Sequence, residues 1–230
     1  GERIYRMIKI AERFAGTVIY DILTAVDALY ADIDADQKNW KTKAPAHCPD
    51  GCGSCCAHFE PEIYEAEALY LAAWMLENQP ERADRFVEDS EAGTNGDSCI
   101  LFDPDRPYHC TVYGGRCLIC RLFGFSGDHG KDGRIRWKPC RYMHATAGQS
   151  ALQPGRQYDE DEMLQLFGAT PPFIGTAPAR LLALNPDDIH PRPLRRALPD
   201  AIKKLKMLLR FLTPPEPDCP SPHPIHPLSA

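Results

Sequence analysis

Apolar residues recur every three or four positions from residue 2 to residue 35, and this spacing predicts one long helix at the N-terminus. The stripe comprises Ile4, Ile8, Ala11, Ala15, Val18, Ile22, Val26, Leu29 and Ile33. Left uncovered, it would expose on the order of several hundred Å² of contiguous apolar surface, which soluble monomers rarely tolerate. We therefore expect the stripe to pack within its own chain, or against a partner helix in a homo-oligomer.

Shorter segments downstream show the same helical spacing. They cover residues 62–78, 82–91, 159–167, 177–184 and 199–212. Pro61 and Pro199 suit the starts of the first and last of these helices, because proline is favoured in a first helical turn. Pro80 is expected to end the first of them.

Between residues 98 and 141 the pattern changes to short apolar runs broken by glycine and proline. Residues 110–113 are β-prone, Gly114-Gly115 is a turn, and residues 128–137 suit a β-hairpin. The sequence thus predicts an α+β fold that is mainly α-helical. A core of cysteine-rich loop and short strands is flanked by the long N-terminal helix and by C-terminal helices.

Composition narrows the class of protein. The 230 residues include 43% hydrophobic ones, so the chain can bury a core without disulfide support. The net charge of −6 argues against nucleic acid as a partner. No apolar run approaches the roughly 18 residues that a membrane span needs, and no signal peptide is visible, so we expect a cytoplasmic protein without a membrane segment.

The spacing of the cysteines indicates metal binding. Cys48, Cys52, Cys55 and Cys56 lie in one short loop with the spacing C-x3-C-x2-C-C. A second cysteine-rich stretch contains Cys99, Cys110, Cys117, Cys120 and Cys140. Disulfides among such crowded cysteines would close only tiny loops, whereas crowded thiolates suit a shared metal. We therefore predict that the two stretches close on one metal centre or on two adjacent ones.

Taken together, the two stretches resemble the YkgJ-type cysteine-cluster family of zinc- or iron-chelating proteins. The loop C-x3-C-x2-C-C corresponds to the start of that family's pattern, and the later positions follow in order. These are Cys99, Cys110 with Tyr113, and Arg116 with Cys120, Arg121 and Phe123. Cys117 departs from the pattern because the family usually has proline there. The resemblance covers residues 46–142 and relates the chain to flagellin lysine N-methylases.

The resemblance implies a set of metal ligands, and together with the predicted helices it suggests a domain organisation. The implied metal ligands are Cys48, Cys52, Cys55, Cys56, Cys99, Cys110, Cys120 and Cys140. Cys117 is either a further ligand or a small buried residue, and Cys219 is expected to be a free thiol. The expected order is an N-terminal helix (1–46), a cysteine-cluster metal-binding domain (47–142), a helical C-terminal region (143–213) and a proline-rich tail (214–230).

Two kinds of metal centre suit so many thiols. A 4Fe–4S cluster is held by four cysteine thiolates. The softness of the thiolate ligands and the large number of cysteines favour this iron–sulfur assignment. Zinc is the alternative, because Cys117-x2-Cys120 and Cys52-x2-Cys55 each match a zinc knuckle. The surplus cysteines would hold a second cluster or form a disulfide. The redox partner of such a centre is unknown.

Whether the chain is an enzyme stays open. An electron-transfer or redox module is one prediction. An S-adenosylmethionine-dependent protein methyltransferase is another, since the resemblance extends to methylases and the spacing C-x3-C-x2-C also occurs in radical S-adenosylmethionine enzymes. No glycine-rich cofactor loop supports it. Further candidates near the thiols are His47, His58, His109, Arg116, Arg121, Arg134, Arg136 and Arg141.

Overall fold

The structure is a computed structural model that describes residues 8–44, 46–91, 98–145, 152–153, 155–173, 175–186 and 189–212. The predicted proline-rich tail with Cys219 lies outside the described residues, as do residues 1–7 of the predicted first helix.

Seven α-helices and six short strands make up the regular structure of the described ranges. The helices are α1 (Val18–Lys43), α2 (Glu65–Asn78), α3 (Pro80–Glu91), α4 (Leu118–Leu122), α5 (Glu160–Phe167), α6 (Thr176–Leu184) and α7 (Leu194–Leu212). The strands are β1 (Ala46–His47), β2 (Glu62–Ile63), β3 (Asp128–His129), β4 (Ile135–Arg136), β5 (His144–Ala145) and β6 (Arg192–Pro193). They pair antiparallel as β1–β5, β2–β6 and β3–β4. The prediction of a mainly α-helical α+β fold is confirmed.

The prediction of one continuous helix over residues 2–35 is wrong. A 3-10 helix at Lys9–Phe14 ends before Gly16, whose φ of +79° is left-handed and breaks the helix. Thr17 then caps α1, because its side-chain oxygen accepts a hydrogen bond from the amide of Tyr20. The predicted stripe is interrupted at this break, where Val18 is 66% exposed. Helical spacing alone did not reveal the break, because apolar residues lie on either side of it.

The main core is a helical body formed by α1, α2 and α7. Beyond the break the predicted stripe is buried, and α2, α4 and α6 of the same chain cover it. Almost every residue of the middle of α2 is buried, and Ala68, Leu69, Leu71 and Ala72 are fully so. The expected cover for the first helix is therefore found within the chain.

Two helices begin where tertiary contacts set their first turns. Residues 62 and 63 pair with β6, so α2 begins at Glu65 and not at residue 62. Helix α7 begins five residues before the expected Pro199, which lies inside it. Its first amides are satisfied from outside the helix, because Leu194 donates to the carbonyl of Pro61 (3.0 Å) and Arg195 to a carboxylate oxygen of Glu60 (2.8 Å).

The second cysteine-rich stretch contains less strand than predicted. Residues 110–113 form only an isolated bridge between Phe102 and Cys110, followed by a 3-10 turn at Tyr113–Gly115. Helix α4 was not predicted, since five residues are too few to show a period. The predicted hairpin is confirmed by the pairing of β3 with β4.

A smaller aromatic core supports the other side of this stretch. Trp40, at the end of α1, meets Trp137 and Phe167 edge-to-face, with ring centroids 5.2 and 5.8 Å apart. Tyr158 packs beside Trp137, and their backbones form an antiparallel bridge. Among the described helices, none is long and apolar enough to cross a membrane.

Candidate metal centre

All nine described cysteines line one cavity of about 120 Å³. They are Cys48, Cys52, Cys55, Cys56, Cys99, Cys110, Cys117, Cys120 and Cys140, and every one is a free thiol. The structure thus brings both cysteine-rich stretches together around one space. It also places Cys117, which departs from the family pattern, on the same wall.

The first cysteine loop is held by strand pairing and by two tight turns. Strand β1 pairs with β5 in the register His47–His144, and this pairing brings Cys48 beside the segment that carries Cys140. Within the loop the amide of Cys52 donates to the carbonyl of Pro49 (3.0 Å), and the amide of Cys56 donates to the carbonyl of Gly53 (2.9 Å). These turns present four thiols from nine consecutive residues.

The second stretch is closed by a short ladder of hydrogen bonds. The amide of Asp103 donates to the carbonyl of His109 (3.0 Å), and that of Thr111 donates to the carbonyl of Leu101 (3.1 Å). The chain therefore doubles back between Cys99 and Cys110. Helix α4 follows, with Cys117 as its N-cap residue and Cys120 within its first turn.

The two stretches meet at Gly53 and His109. A Cβ atom at Gly53 would lie 2.3 Å from the Cβ atom of His109, so only glycine fits there. Tyr108 and His109 both have positive φ values, 62° and 50°, and the amide of Tyr108 donates to the carbonyl of Gly51 (3.2 Å). Two consecutive left-handed residues other than glycine are uncommon and store strain. That strain lies immediately before Cys110.

For description we assign the cysteines to two adjoining groups by the neighbours that affect their pKa values, and Cys55 also raises the pKa of Cys110 across the boundary. Burial raises the pKa of Cys48, and the neighbouring cysteines Cys52, Cys140 and Cys55 raise it further. We call these four the first thiol group. Burial likewise raises the pKa of Cys99 to about 11, of Cys120 to about 12, and those of Cys110 and Cys117. With Cys56, which adjoins them, these form the second thiol group: Cys56, Cys99, Cys110, Cys117 and Cys120.

Cys55 and Cys56 join the two groups. Their sulfur atoms lie 3.9 Å apart. The hydrogen bond between the two sulfurs lowers the pKa of Cys55 to about 6, and the same contact, with burial, raises the pKa of Cys56. The contact therefore favours a thiolate at one sulfur and a thiol at the other.

The described cysteines line one cavity, but their side chains do not form a complete coordination shell. Within the described ranges no three Cys, His, Asp or Glu side chains converge closely enough to ligate a single ion. Cys48 and Cys55 are exposed at the cavity mouth, and most of the other thiols are half-buried. The donor set fits a metal that prefers thiolates.

Of the five arginines near the thiols, only Arg116 and Arg121 line the cavity. Arg121 is 3% exposed, and its guanidinium forms an ion pair with Asp34 at 3.2 Å. Arg134 and Arg136 form exposed ion pairs elsewhere, with Asp161 and Asp132, and Arg141 lies over the ring of Tyr142 at 5.5 Å.

The three candidate histidines are not among the residues that line the cavity where the structure describes it. His109 packs against Gly53 and meets the ring of Phe102 edge-on at 5.5 Å. His47 faces His144 across the β1–β5 pair, and His58 is exposed. Their places favour a structural role for His109 and leave the thiols as the principal donors.

A rim of exposed aromatic and apolar side chains surrounds the cavity mouth. These are Phe59, Tyr108, Tyr113, Ile119, Phe123 and Tyr142. In the sequence, Tyr113 and Phe123 stand out only as parts of the cysteine pattern. The available signal was that each lies within four residues of a cysteine.

Glu67 connects the helical body to the thiol cavity. This buried carboxylate on α2 accepts hydrogen bonds from the amides of Leu118 (2.8 Å) and Tyr64 (3.1 Å), and from the hydroxyl of Tyr30 (3.4 Å). Burial raises the pKa of Glu67, and these donors partly oppose the rise. Because Leu118 begins α4, Glu67 fixes the turn that carries Cys117 and Cys120.

A helical chain with nine free thiols around one cavity has the features of a cysteine-rich metal-chelating protein. Comparison with known proteins agrees. Residues 47–142 match the CxxCxxCC family, described as a "putative zinc- or iron-chelating domain". The uncharacterized Escherichia coli O157:H7 protein YkgJ is 34% identical over 83 residues, which cover 34% of this chain and 75% of YkgJ. The chain belongs to this YkgJ-type CxxCxxCC family. No solved structure matches it.

Proposed function

We propose that the chain holds an iron–sulfur cluster through cysteine thiolates of both thiol groups and serves electron transfer or another redox reaction. The observation that carries the proposal is the meeting of nine free thiols around one cavity. Iron–sulfur clusters require four thiolates each, and the supply exceeds what one zinc ion uses. The family description supports zinc or iron equally, so the choice rests on the donor set.

The predicted ligands are all present on this cavity, and Cys117 joins them as a candidate. A cluster bound here would supply one-electron chemistry. The chain itself would limit the access of water to the cluster, because Phe59, Phe123 and Tyr142 lie at the mouth of the cavity. Hydrophobic surroundings of this kind tune the potential of a metal site.

Two zinc ions are a second candidate. The number of thiols favours it, because four thiolates complete a structural zinc site and nine thiols line the cavity. The C-x2-C pair Cys117 and Cys120 also lies at the start of α4, as in a zinc knuckle. This candidate gives a structural centre without redox chemistry.

Metal and sulfide analysis of anaerobically purified protein tests the proposal. We expect iron and acid-labile sulfide in equal amounts, with visible absorption that bleaches on reduction. Zinc at two ions per chain, with no sulfide and no colour, would instead establish the second candidate. Cys52→Ser should lose the metal under either candidate, and Cys219→Ser, in the proline-rich tail, is the matched control and should keep it.

A further inference from the structure

The β1–β5 pair carries two histidines directly opposite each other. The strand register places His47 against His144, and their ring centroids lie 6.1 Å apart. Both side chains are exposed. Residues directly opposite in an antiparallel pair point to the same face, with Cβ atoms about 5 Å apart. The two imidazoles are therefore neighbours on one patch of solvent-facing surface.

The aromatic core fixes these two strands from the other face. Successive residues of a strand point alternately to its two faces. Ala46 and Met143, which directly precede the two histidines, are buried in the core that contains Trp40 and Trp137. The backbone that carries both imidazoles is therefore held in place, while the rings face solvent.

Another histidine shows how an imidazole is used for packing in the same fold. His129 stacks on the ring of Phe173, with centroids 3.8 Å apart and planes inclined by 18°. Within the described ranges, the rings of His47 and His144 form neither a hydrogen bond nor an ion pair, and the ring that each one contacts is the other. Packing accounts for His129, whereas the nitrogens of the histidine pair remain available as ligands.

The separation of the two rings suits a single metal ion. Imidazole nitrogens bind zinc, copper and nickel ions, with metal–nitrogen bonds of about 2.1 Å. A ring nitrogen lies about 1.1 Å from its centroid, so two imidazoles on one ion have centroids at most about 6.4 Å apart. The observed 6.1 Å lies within this limit. Rotation of the exposed side chains would bring the centroids to the roughly 5.2 Å of a tetrahedral site.

The pair would hold an ion in an open, exchangeable site. Among the residues that the structure describes, no third His, Cys, Asp or Glu side chain converges with the two histidines. Structural zinc sites are closed by four protein ligands, so water would complete the shell here. Although His47 directly precedes Cys48, neither histidine lines the thiol cavity where the structure describes it. An ion at the histidine pair therefore does not compete for the space of the thiol centre.

We propose that His47 and His144 form a surface binding site for a divalent transition-metal ion such as nickel(II), copper(II) or zinc(II). The site is distinct from the thiol centre and does not depend on which metal the thiols hold. Two ligands at a fixed separation make the second bond intramolecular, which raises the affinity by roughly 10²–10⁴-fold over that of one ligand. Removal of either imidazole should therefore abolish most of the binding.

Titration of the untagged full chain with nickel(II) chloride tests the site, with heat and near-ultraviolet absorption recorded together. We expect binding without the intense sulfur-to-nickel charge-transfer band that thiolate ligands would produce. His47→Gln and His144→Gln should each weaken it by roughly a hundredfold, the lower limit of the gain from linking two ligands. His58→Gln is the matched control and should bind as the wild type does, because His58 is exposed in the cysteine loop but lies outside the β1–β5 pair.

Two further sets of variants keep the result specific. All proteins carry His223→Gln and His226→Gln, because these two histidines of the proline-rich tail also offer imidazole ligands. His144→Glu supplies a different metal ligand and should recover part of the affinity, which a merely structural role of His144 would not allow.

Three outcomes would overturn the proposal. They are nickel binding only with the charge-transfer band or not at all, an affinity that neither His47→Gln nor His144→Gln lowers, and an equal loss of affinity in His58→Gln. The metal content of the thiol centre is measured on every sample. Its loss with intact nickel binding would count against the proposed cluster and not against the histidine site.

Discussion

The helical body and the thiol cavity are built by opposite means. In the body, periodic apolar residues place side chains such as Leu69 in a fully buried core. Around the cavity, irregular loops hold half-exposed thiols with turns and a short hydrogen-bond ladder. The body therefore draws its stability from burial, whereas the cavity needs a ligand to complete it. A change in one region should affect the other only through residues that contact both regions, such as Glu67.

The largest effect should come from removing body packing. Leu69→Ala deletes a fully buried side chain, and we expect a loss of about 2–5 kcal/mol in the free energy of unfolding. Val18→Ala, at an exposed position, is the control and should change it by less than about 0.5 kcal/mol. Urea denaturation measures both. Loss of metal from folded Leu69→Ala would show that the two regions are less independent than we infer.

Glu67 is the link, so its removal should affect both regions. Glu67→Ala leaves the buried amide of Leu118 without its acceptor, at a cost of about 1–3 kcal/mol. Metal affinity should fall too, because the start of α4 loosens. Glu67→Gln retains an acceptor oxygen and should recover most of both losses. Equal metal affinity in Glu67→Ala and the wild type would contradict this role.

The same carboxyl group should make stability depend on pH. Burial raises the folded-state pKa of Glu67 above its ordinary value of 4.5. Its contribution is therefore complete below the unfolded pKa and is lost as the pH rises through the folded pKa. Relative to Glu67→Gln, the wild type should lose stability from about pH 4.5 upward and then level off. Denaturation of both proteins from pH 4 to pH 8 measures the difference, and a constant difference would be the contrary result.

A smaller effect is expected at the break before α1. Gly16→Ala places a side chain at a φ of +79°, which should cost about 1 kcal/mol. Gly16→Asn tolerates this conformation better and should lose less. Helix content should stay constant, because Thr17 caps α1. A gain in circular dichroism signal with Gly16→Ala would mean that glycine alone interrupts the predicted long helix.

Metal removal should have the smallest effect on the body. Chelation should speed hydrogen exchange in the Cys48–Cys56 loop, where four of the predicted ligands lie. Exchange in the middle of α2 should not change. Faster exchange at Leu71 and its neighbours would show that the body also depends on the metal.

Local sequence signals predicted the elements that local contacts determine. Helix α5 begins after Asp159, whose side chain accepts a hydrogen bond from the amide of Glu162, and this capping box is visible in the sequence. The start of α7 depends on Glu60, which lies far away in the chain, so no window around Pro199 could reveal it. For the site, the family pattern identified the cysteines. It could not tell that Asp34 pairs with Arg121, because this ion pair forms only in the folded chain.

The contact between Gly53 and His109 has a consequence for protein engineering. The loop C-x3-C-x2-C-C looks like a cassette that could be grafted into another scaffold. Here, however, the loop depends on a second segment, since Gly53 accommodates His109 and the carbonyl of Gly51 accepts the amide of Tyr108. A transplanted loop without its left-handed partner would lack the surface that shapes it. The smallest transferable unit is therefore the pair of segments, together with whatever holds Tyr108 and His109 in their strained conformation.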